Sequence, residues 1–541
     1  MNSIVVIQAR TTSTRLPAKV LLPVAGYPLV VLAAKRAANT GRHVIVAISD
    51  EDTDDYLAEV LTASEISFFR GSLRNVLSRF LAALESFEDE TVVVRLTGDN
   101  VFPDGYLVDE VEKDFLQKDL QYLICNGADS GLPYGLSLEI TRLKHLRNAF
   151  LESAADFDVE HVTPAIRRKF GPHYFKKYLS HKMGNYRATV DCLSDYLRIA
   201  DIFNSVKNPI EENSIDLIEK LRKKTKEPIS DHPVKKIVFG AVQLGMQYGV
   251  ANLTGKPDFN MSKKMLETAI DNGVSVIDTA SAYGDSEWII GKSLGHGLKG
   301  RVSIVTKLDP LDNLPSQAGH SVCEAFVDAS VYGSLIKLGI ERIDTLLLHR
   351  ASHIAQFDGA IFDRLMFHLN AGHIDSVGVS VQSPEELIDA LSYQDIEHIQ
   401  MPFNILDWRW TDSIEQIKKV RASRRLIIHL RSVLLQGLLL QRDEKRWQGA
   451  NCQDSDEIFH WLDDAVERFE RGSVLDLCVA FANGLDWVDG IVVGMETYDQ
   501  LIENLLIFSK DPLSAAQRDE LIAKRPFVQE STLNPSLWTK N

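Results

Sequence analysis

Gly273-Val-Ser-Val-Ile-Asp278-Thr279-Ala-Ser-Ala-Tyr283-Gly284 is a short apolar run that ends in a carboxylate and sets a phenol five residues further on. Two later runs end in the same manner, Ile304-Val-Thr-Lys307 in an ammonium and Thr345-Leu-Leu-Leu-His349 in an imidazole. Polar groups at the carboxyl ends of successive parallel strands are what the catalytic face of a (β/α)8 barrel presents. Further strands are expected around them, so that the set covers residues 274–277, 302–306, 345–348, 376–381, 399–403, 426–430 and 490–493, with helix-compatible stretches between most of them. Periodicity alone does not separate a closed barrel from an open sheet; the ordered polar strand ends favour the barrel. A tyrosine beside a lysine and a carboxylate is a proton donor whose pKa falls below its usual value of about 10.

The first half of the chain alternates differently. Residues 4–9, 43–48 and 91–96 read as strands, and 28–39 as an amphipathic helix. Strands alternating with helices predict a mostly parallel sheet covered on both faces, with ligands bound beyond the carboxyl ends of the strands. The loops at Arg10 and Asp99 are therefore expected to share one edge. Gln8-Ala-Arg-Thr-Thr-Ser-Thr-Arg-Leu-Pro-Ala-Lys19 carries three cations, Arg10, Arg15 and Lys19, with hydroxyls between them, the donor set that a triphosphate needs. From 206 to 236 the composition turns charged and is broken by Pro209, Pro228 and Pro233. A closing helix and a solvated linker are expected there, giving domains at 1–224 and 235–541 joined by 225–234.

The 541 residues contain 45% hydrophobic and 25% charged side chains, enough for more than one core and unlike a disordered or collagenous chain. With 59 basic against 75 acidic residues the net charge is −16, which argues against nonspecific nucleic-acid binding. The five scattered cysteines form no CxxC pair and fit buried thiols better than a disulfide framework or a zinc cage. No stretch reads as a signal peptide or a membrane span, so a cytoplasmic protein is expected.

The N-terminal motifs resemble the cytidylyltransferases that make CMP-activated acidic sugars, especially the spore coat polysaccharide branch near the CMP-3-deoxy-manno-octulosonate synthetases. The resemblance covers about residues 3 to 205. It rests on the loop ending at Lys19, Phe69-Arg70-Gly71-Ser72, Val76-Leu77-Ser78-Arg79, Arg95-Leu-Thr-Gly-Asp99-Asn100, Pro133-Tyr-Gly135 with Glu139, Glu160-His-Val-Thr-Pro164, and Ala188-Thr-Val-Asp191. It implies a Rossmann-like nucleotidyltransferase domain in which Arg10, Arg15, Lys19, Arg70 and Gly71 hold CTP and Asp99 and Asp191 ligate Mg²⁺. Ala18 departs from the pattern, which commonly has glycine there; so do Val101 and Val159.

The C-terminal motifs resemble the aldo/keto reductases over about residues 235 to 510. Asp278, Tyr283, Lys307 and His349 match that family's catalytic tetrad. The resemblance further implies that Ser380, Gln400, Asn404, Arg431, Ser432, Gly437, Gly494, Gln500, Glu503 and Asn504 bind NADP(H) or NAD(H). Arg431 stands where a stacking tyrosine is common. Gly494 and Gln500 stand where cations commonly hold the 2′-phosphate, so a weak or reversed preference for NADPH over NADH is expected. Together the halves predict a bifunctional enzyme that uses CTP, a small acidic sugar and a carbonyl substrate in surface-glycan biosynthesis, with a homodimer formed through the N-terminal domain. Two other readings are that one half is a non-catalytic ligand-binding or scaffolding module, or that the reductase acts on unrelated carbonyls.

Overall fold

A computed structural model of the chain describes residues 3–13, 15–152, 156–225, 229, 234, 236–248, 254–295 and 298–538, with residues 156 and 157 described by backbone alone. The linker expected over 225–234 lies outside them apart from 225, 229 and 234, as does the Thr14 hydroxyl. The chain divides into two compact units, Met1–Pro233 with His296–Arg301, and Val234–Gly295 with Val302–Asn541.

The first unit is built on six strands, β1 (Ser3–Gln8), β2 (Val44–Ser49), β3 (Phe68–Gly71), β4 (Val92–Thr97), β5 (Tyr122–Cys125) and β6 (Leu138–Arg142), in the order β3-β2-β1-β4-β6-β5. All pairings are parallel except those of β6, which runs against both of its neighbours. The run Ile4-Val-Val-Ile7 explains why this sheet is buried. Alternate side chains leave opposite faces, so Val5 and Ile7 enter one core with Val46 and Leu96, while Ile4 and Val6 enter the other with Val93 and Ile124. Helix Leu29–Ala37 covers the first face, and helix Val76–Ala83 supplies Val76, Leu77 and Phe80 to the second. Each fully buried Val or Ile here contributes about 1.5–3 kcal/mol. Gln8 pairs with Thr97, and Gly98 N donates to Gln8 O at 2.9 Å, so the loops carrying Arg10 and Asp99 leave the same edge.

The expected elements at 4–9, 28–39, 43–48 and 91–96 are present within a residue or two. β3, β5 and β6 were not expected as strands. β3 and β5 have only four residues each, and β6 (Leu-Glu-Ile-Thr-Arg) carries two charges, Glu139 paired with Arg95 and Arg142 paired with Glu90 and Asp119.

The second unit is a closed barrel of eight parallel strands. They are β7 (Ile237–Gly240), β8 (Val276–Asp278), β9 (Ser303–Lys307), β10 (Thr345–Leu348), β11 (Val377–Ser380), β12 (Ile396–Pro402), β13 (Ile427–Arg431) and β14 (Gly490–Gly494). Seven overlap the expected runs. β7 is additional: three apolar residues after a charged stretch give too little pattern to read. It closes the ring by pairing Ile237 with Ile491 and Ile277 with Phe239. The interior is packed, with the His398 and His429 rings 4.2 Å apart between centroids. Gly378 is required there, since a Cβ would stand 2.2 Å from His398 O. A helix follows each strand, for example Pro384–Ser392 after β11, started by Pro384 and by Ser383 accepting from Glu386 N.

Four cysteines are buried and Cys452 is partly so. Among the described residues no helix is long and apolar enough to cross a membrane.

Candidate functional site

In the first unit the loop after β1 folds back on itself. Ala18 N donates to Thr11 O at 2.8 Å, and Ala18 adopts φ 54°, ψ 23°, a left-handed conformation that favours glycine. Asp54 holds the loop from beneath, accepting from Thr11 N at 2.8 Å, Thr11 Oγ1 at 2.6 Å, Ser49 N at 2.9 Å and Ser49 Oγ at 2.6 Å. Burial opposes charge on Asp54, but these donors outweigh it and hold its carboxyl below the usual range.

The turn delivers Lys19, 8% exposed, to the sheet edge. Its ammonium donates to Asp99 Oδ2 at 2.6 Å, Val190 O at 2.8 Å and Asp191 Oδ1 at 3.2 Å. Asp191 also takes Arg15 Nη2 at 2.7 Å and Arg187 Nη2 at 3.0 Å. Val190 N donates to Asp99 O at 2.9 Å and ties the two acidic loops together. Lys19, Arg15, Asp99 and Asp191 thus converge.

The other expected nucleotide-binding residues are engaged elsewhere. Arg10 pairs with Glu160 at 3.5 Å, and Arg70 reaches Ser49 O, Glu51 O and Asp55. Gly71 O accepts from Asp50 N at 2.9 Å. Glu139 accepts from Arg95, from Tyr122 Oη and from Thr163 Oγ1. Sequence reasoning missed Asp54, which gives no signal beyond an acidic run, and Arg187, which adjoins the quoted Ala188–Asp191 motif.

Two carboxylate oxygens gathered on one cation are a hard-donor set of the kind Mg²⁺ takes alongside water and phosphate. Among the described residues no group of three or more His, Cys, Asp or Glu could hold a metal, so most of such a shell would come from water and nucleotide.

In the second unit, β8, β9 and β10 place Asp278, Lys307 and His349 at adjacent strand ends. Lys307 Nζ donates to Asp278 Oδ1 at 2.8 Å, Asp278 Oδ2 at 2.9 Å and Thr279 O at 3.0 Å. Gln400 Nε2 donates to Asp278 Oδ2 at 2.7 Å. The ammonium lies 5.1 Å from the Tyr283 ring centroid, and the Tyr283 and His349 rings meet edge-on at 6.3 Å. Burial disfavours charge on Lys307, but Asp278 and the Tyr283 phenol more than offset it, so its pKa is raised. Burial and then repulsion from Lys307 lower His349 to about 4, leaving a neutral imidazole at pH 7.

A cavity of about 520 Å³ opens over this cluster. Its lining includes the tetrad together with Ser380, Gln400, Arg431, Ser432, Gly437, Gly494, Gln500, Glu503 and Asn504. Asn404 is not part of it; it is buried, and its Oδ1 accepts from Leu406 N. Gln500 lines the cavity, but its Oε1 accepts from Glu496 N and Thr497 N in a capping box, so that oxygen is committed to the helix start. Asn504 donates to Gln500 O, while its buried Oδ1 has no partner among the described residues.

The lining residues that escaped the sequence reading include Gln243, Tyr248, Gln382 and Glu496. Gln243 Oε1 is buried without a partner among the described residues and packs against Gly494, where a Cβ would stand 2.4 Å from it. Orphaned amide oxygens and a glycine-walled recess at the strand ends fit a large polar ligand such as a dinucleotide. Among the described residues Lys307 and Arg431 are the cations in the lining, and at the β14 end the charged side chains are Glu496 and Glu503.

A closed parallel barrel with a proton-transfer cluster at its strand ends defines the class of barrel enzymes. The chain belongs to the aldo/keto reductase family, whose model matches residues 236–525. The cytidylyltransferase model matches residues 4–232, so two enzyme domains are fused in one polypeptide. Among curated proteins, the spore coat polysaccharide biosynthesis protein SpsF of Bacillus subtilis is 28% identical over 41% of this chain and 95% of its own length. Aldo-keto reductase YhdN of Bacillus subtilis is 28% identical over 38% of this chain, a match spanning 62% of that protein. The aldo-keto reductase AKR11C1 from Bacillus halodurans, a solved structure, is 21% identical over 57% of this chain and 98% of its own, with a TM-score of 0.46.

Proposed function

We propose that the chain is a bifunctional enzyme. Its first unit transfers a cytidylyl group from CTP to an acidic sugar with release of pyrophosphate, and its second interconverts a carbonyl and an alcohol with a nicotinamide cofactor.

The observation that carries the first activity is the convergence of Lys19, Arg15, Asp99 and Asp191 at one sheet edge. Arg15 and Lys19 are placed to bind phosphate oxygens, and Asp99 and Asp191 to hold a divalent ion. Mg²⁺, when bound, would neutralise charge on the reacting phosphate.

The observation that carries the second is Lys307 held on both oxygens of Asp278 beside Tyr283, with a neutral His349 opposite. The cofactor, when bound, supplies the hydride. Lys307 stabilises the phenolate that remains when Tyr283 gives its proton to the developing alkoxide. Asp278 holds Lys307 charged and in place. His349, neutral, donates a hydrogen bond to the carbonyl oxygen.

A role in making and activating a surface-glycan sugar, and a homodimer through the first unit, belong to the same reading; the similarity to SpsF, a spore coat polysaccharide biosynthesis protein, supports the former. The test is a panel of acidic and neutral sugars, each assayed for CTP-dependent pyrophosphate release and for nicotinamide turnover. Sedimentation gives the oligomeric state. Pyrophosphate release from no sugar in the presence of CTP and Mg²⁺ would remove the transferase reading. Failure of wild-type protein to bind any nicotinamide dinucleotide would remove the reductase reading.

A further inference from the structure

Residues 526–538 of the second unit follow the part that the aldo/keto reductase model matches. They form a strap pinned to two earlier segments of the barrel. Trp408, in the loop between β12 and helix Thr411–Ser423, donates from Nε1 to Val528 O at 2.8 Å. Asn451, in the segment between β13 and helix Asp456–Arg468, donates from Nδ2 to Leu537 O at 3.0 Å and to Ser531 O at 3.3 Å. Trp538 Nε1 turns back onto Thr532 O at 2.9 Å. The loop that carries Trp408 leaves the carboxyl end of its strand, the same end of the barrel as the tetrad.

Between the strap and the start of helix Asp456–Arg468 lies a second cavity of about 540 Å³, which shares no lining residue with the one over the tetrad. Ile458 and Val528, each 3% exposed, form part of its floor. Its rim is polar, with Gln453, Asp454 and Glu457 on the helix side and Gln529 and Ser531 on the strap. The side chains of Gln453, Glu457, Gln529 and Ser531 make no hydrogen bond among the described residues. Asp454 Oδ1 accepts from Asp456 N at 3.2 Å. Phe527 completes the wall. Its ring stacks on Trp408 at 5.7 Å and 27°, which sets its orientation, yet the residue is 78% exposed.

The lining selects the chemistry of the ligand. Among the described residues no Lys, Arg or His lines this cavity and two carboxylates do, so phosphates and acidic sugars meet repulsion. No group of three or more His, Cys, Asp or Glu among those residues suits a metal ion. Amides, a hydroxyl and carboxylate oxygens together offer donors and acceptors at close spacing, the complement of the hydroxyls around a sugar ring. The aromatic ring beside them takes the C–H side of the same sugar. We propose that this cavity binds a neutral saccharide, at a site distinct from the cofactor cavity. The proposal is independent of both activities argued above, since it needs neither nucleotide nor nicotinamide.

Saturation-transfer NMR titrations of the full chain use cellobiose, maltose and N,N′-diacetylchitobiose, with D-glucarate and spermidine as anionic and cationic comparators. At least one neutral disaccharide is expected to bind with a Kd of about 1 mM, the scale of a small ligand held by a few hydrogen bonds and one stacked ring. Phe527→Ala should weaken that binding by about two- to tenfold, and Glu457→Ala by about tenfold or more. Both side chains are exposed, so the urea midpoint of the second unit should not move. Absence of binding by all three disaccharides overturns the proposal. So does disaccharide binding that both variants leave unchanged, which would place the sugar elsewhere. Spermidine binding that Glu457→Ala abolishes, with no disaccharide bound, would assign the cavity to an organic cation and overturn the proposal as well.

Discussion

Asp278 presents both carboxylate oxygens to Lys307, at 2.8 and 2.9 Å, with side-chain exposures of 5% and 2%. This buried pair keeps a positive charge next to the Tyr283 ring, and the proton-donor role of Tyr283 depends on it. Tyr283→Phe removes one oxygen and little volume, so fold and cofactor binding should survive. Single-turnover hydride transfer should fall by about 10²–10⁴-fold. Turnover within a few fold of wild type would refute the assignment. Asp278→Asn leaves Lys307 buried without its counter-charge and should also lower unfolding stability by about 3–5 kcal/mol.

Asp99 and Asp191 are expected to separate under mutation, although both meet Lys19. Asp99→Asn should nearly abolish pyrophosphate release and leave dinucleotide binding in the barrel intact. Asp191→Asn should do the same and also loosen Arg15 and Arg187, which contact its carboxylate at 2.7 and 3.0 Å. Hydrogen exchange in the 15–19 and 187–195 segments should rise in Asp191→Asn and not in Asp99→Asn. Wild-type pyrophosphate release by Asp99→Asn would show that the metal assignment is wrong.

Cofactor choice follows from the β14 end of the cavity, where Glu496 and Glu503 stand and no cation lines the wall among the described residues. A 2′-phosphate finds repulsion there, so NADH should bind at least as well as NADPH. Glu496→Lys should shift the ratio toward NADPH by about one to two decades, the scale of a charge-assisted hydrogen bond. Fluorescence titration with both cofactors measures it. A hundredfold wild-type preference for NADPH is the contrary result.

How much of this was legible beforehand depended on where the information lay along the chain. The tetrad could be read because each member ends a run of apolar residues, and strand ends are positions that a sequence marks. Lys19 and Asp99 could be read because each belongs to a contiguous motif. Gln243 could not, since it adjoins no expected strand end or charged cluster and only closure of the barrel brings the loop after β7 beside β14; Glu496 follows the expected strand at 490–493, but nothing in its type marks it as part of a cavity wall. Gln500 was visible as a polar residue at the right spacing, but its side-chain oxygen caps a helix, a use that follows from Thr497 three residues earlier. β7 was missed because three apolar residues carry no period.

Acid should destabilise the barrel before carboxylate protonation does. Burial lowers His349, His353 and His429 from 6.5 to about 4, and His398 further. Between pH 6.5 and 4 the unfolded chain binds these protons and the folded barrel does not, so stability falls as pH falls through that window. Each histidine contributes at most about 1.4 kcal/mol per pH unit. All seven tryptophans follow residue 234, so tryptophan fluorescence during urea unfolding follows this unit. A midpoint unchanged between pH 7 and 5 would contradict the assignment.

Ala18 holds φ 54° in the loop that positions Lys19. The left-handed region costs a non-glycine residue about 1–2 kcal/mol, and glycine recovers this less about 0.5–1 kcal/mol of extra unfolded-state entropy. Ala18→Gly should therefore stabilise the first unit by up to about 1 kcal/mol, read as slower hydrogen exchange of the β1 and β2 amides. Faster exchange would mean that the alanine methyl makes a packing contribution larger than the strain.

The pairing of β7 with β14 also sets a condition on biosynthesis. Ile237 meets Ile491, and Gly240 meets Gly494. A ribosome that has made β7 must therefore add some 250 further residues before its partner strand exists. Through that interval both edges of the growing barrel sheet are unpaired and open to wrong partners. The six strands of the first unit, complete by Arg142, need nothing from later strands for their own pairing. Nascent chains stalled before Gly490 should accordingly carry a protease-resistant first unit and a protease-sensitive, chaperone-dependent remainder, and resistance of the second unit should arrive abruptly once β14 has emerged.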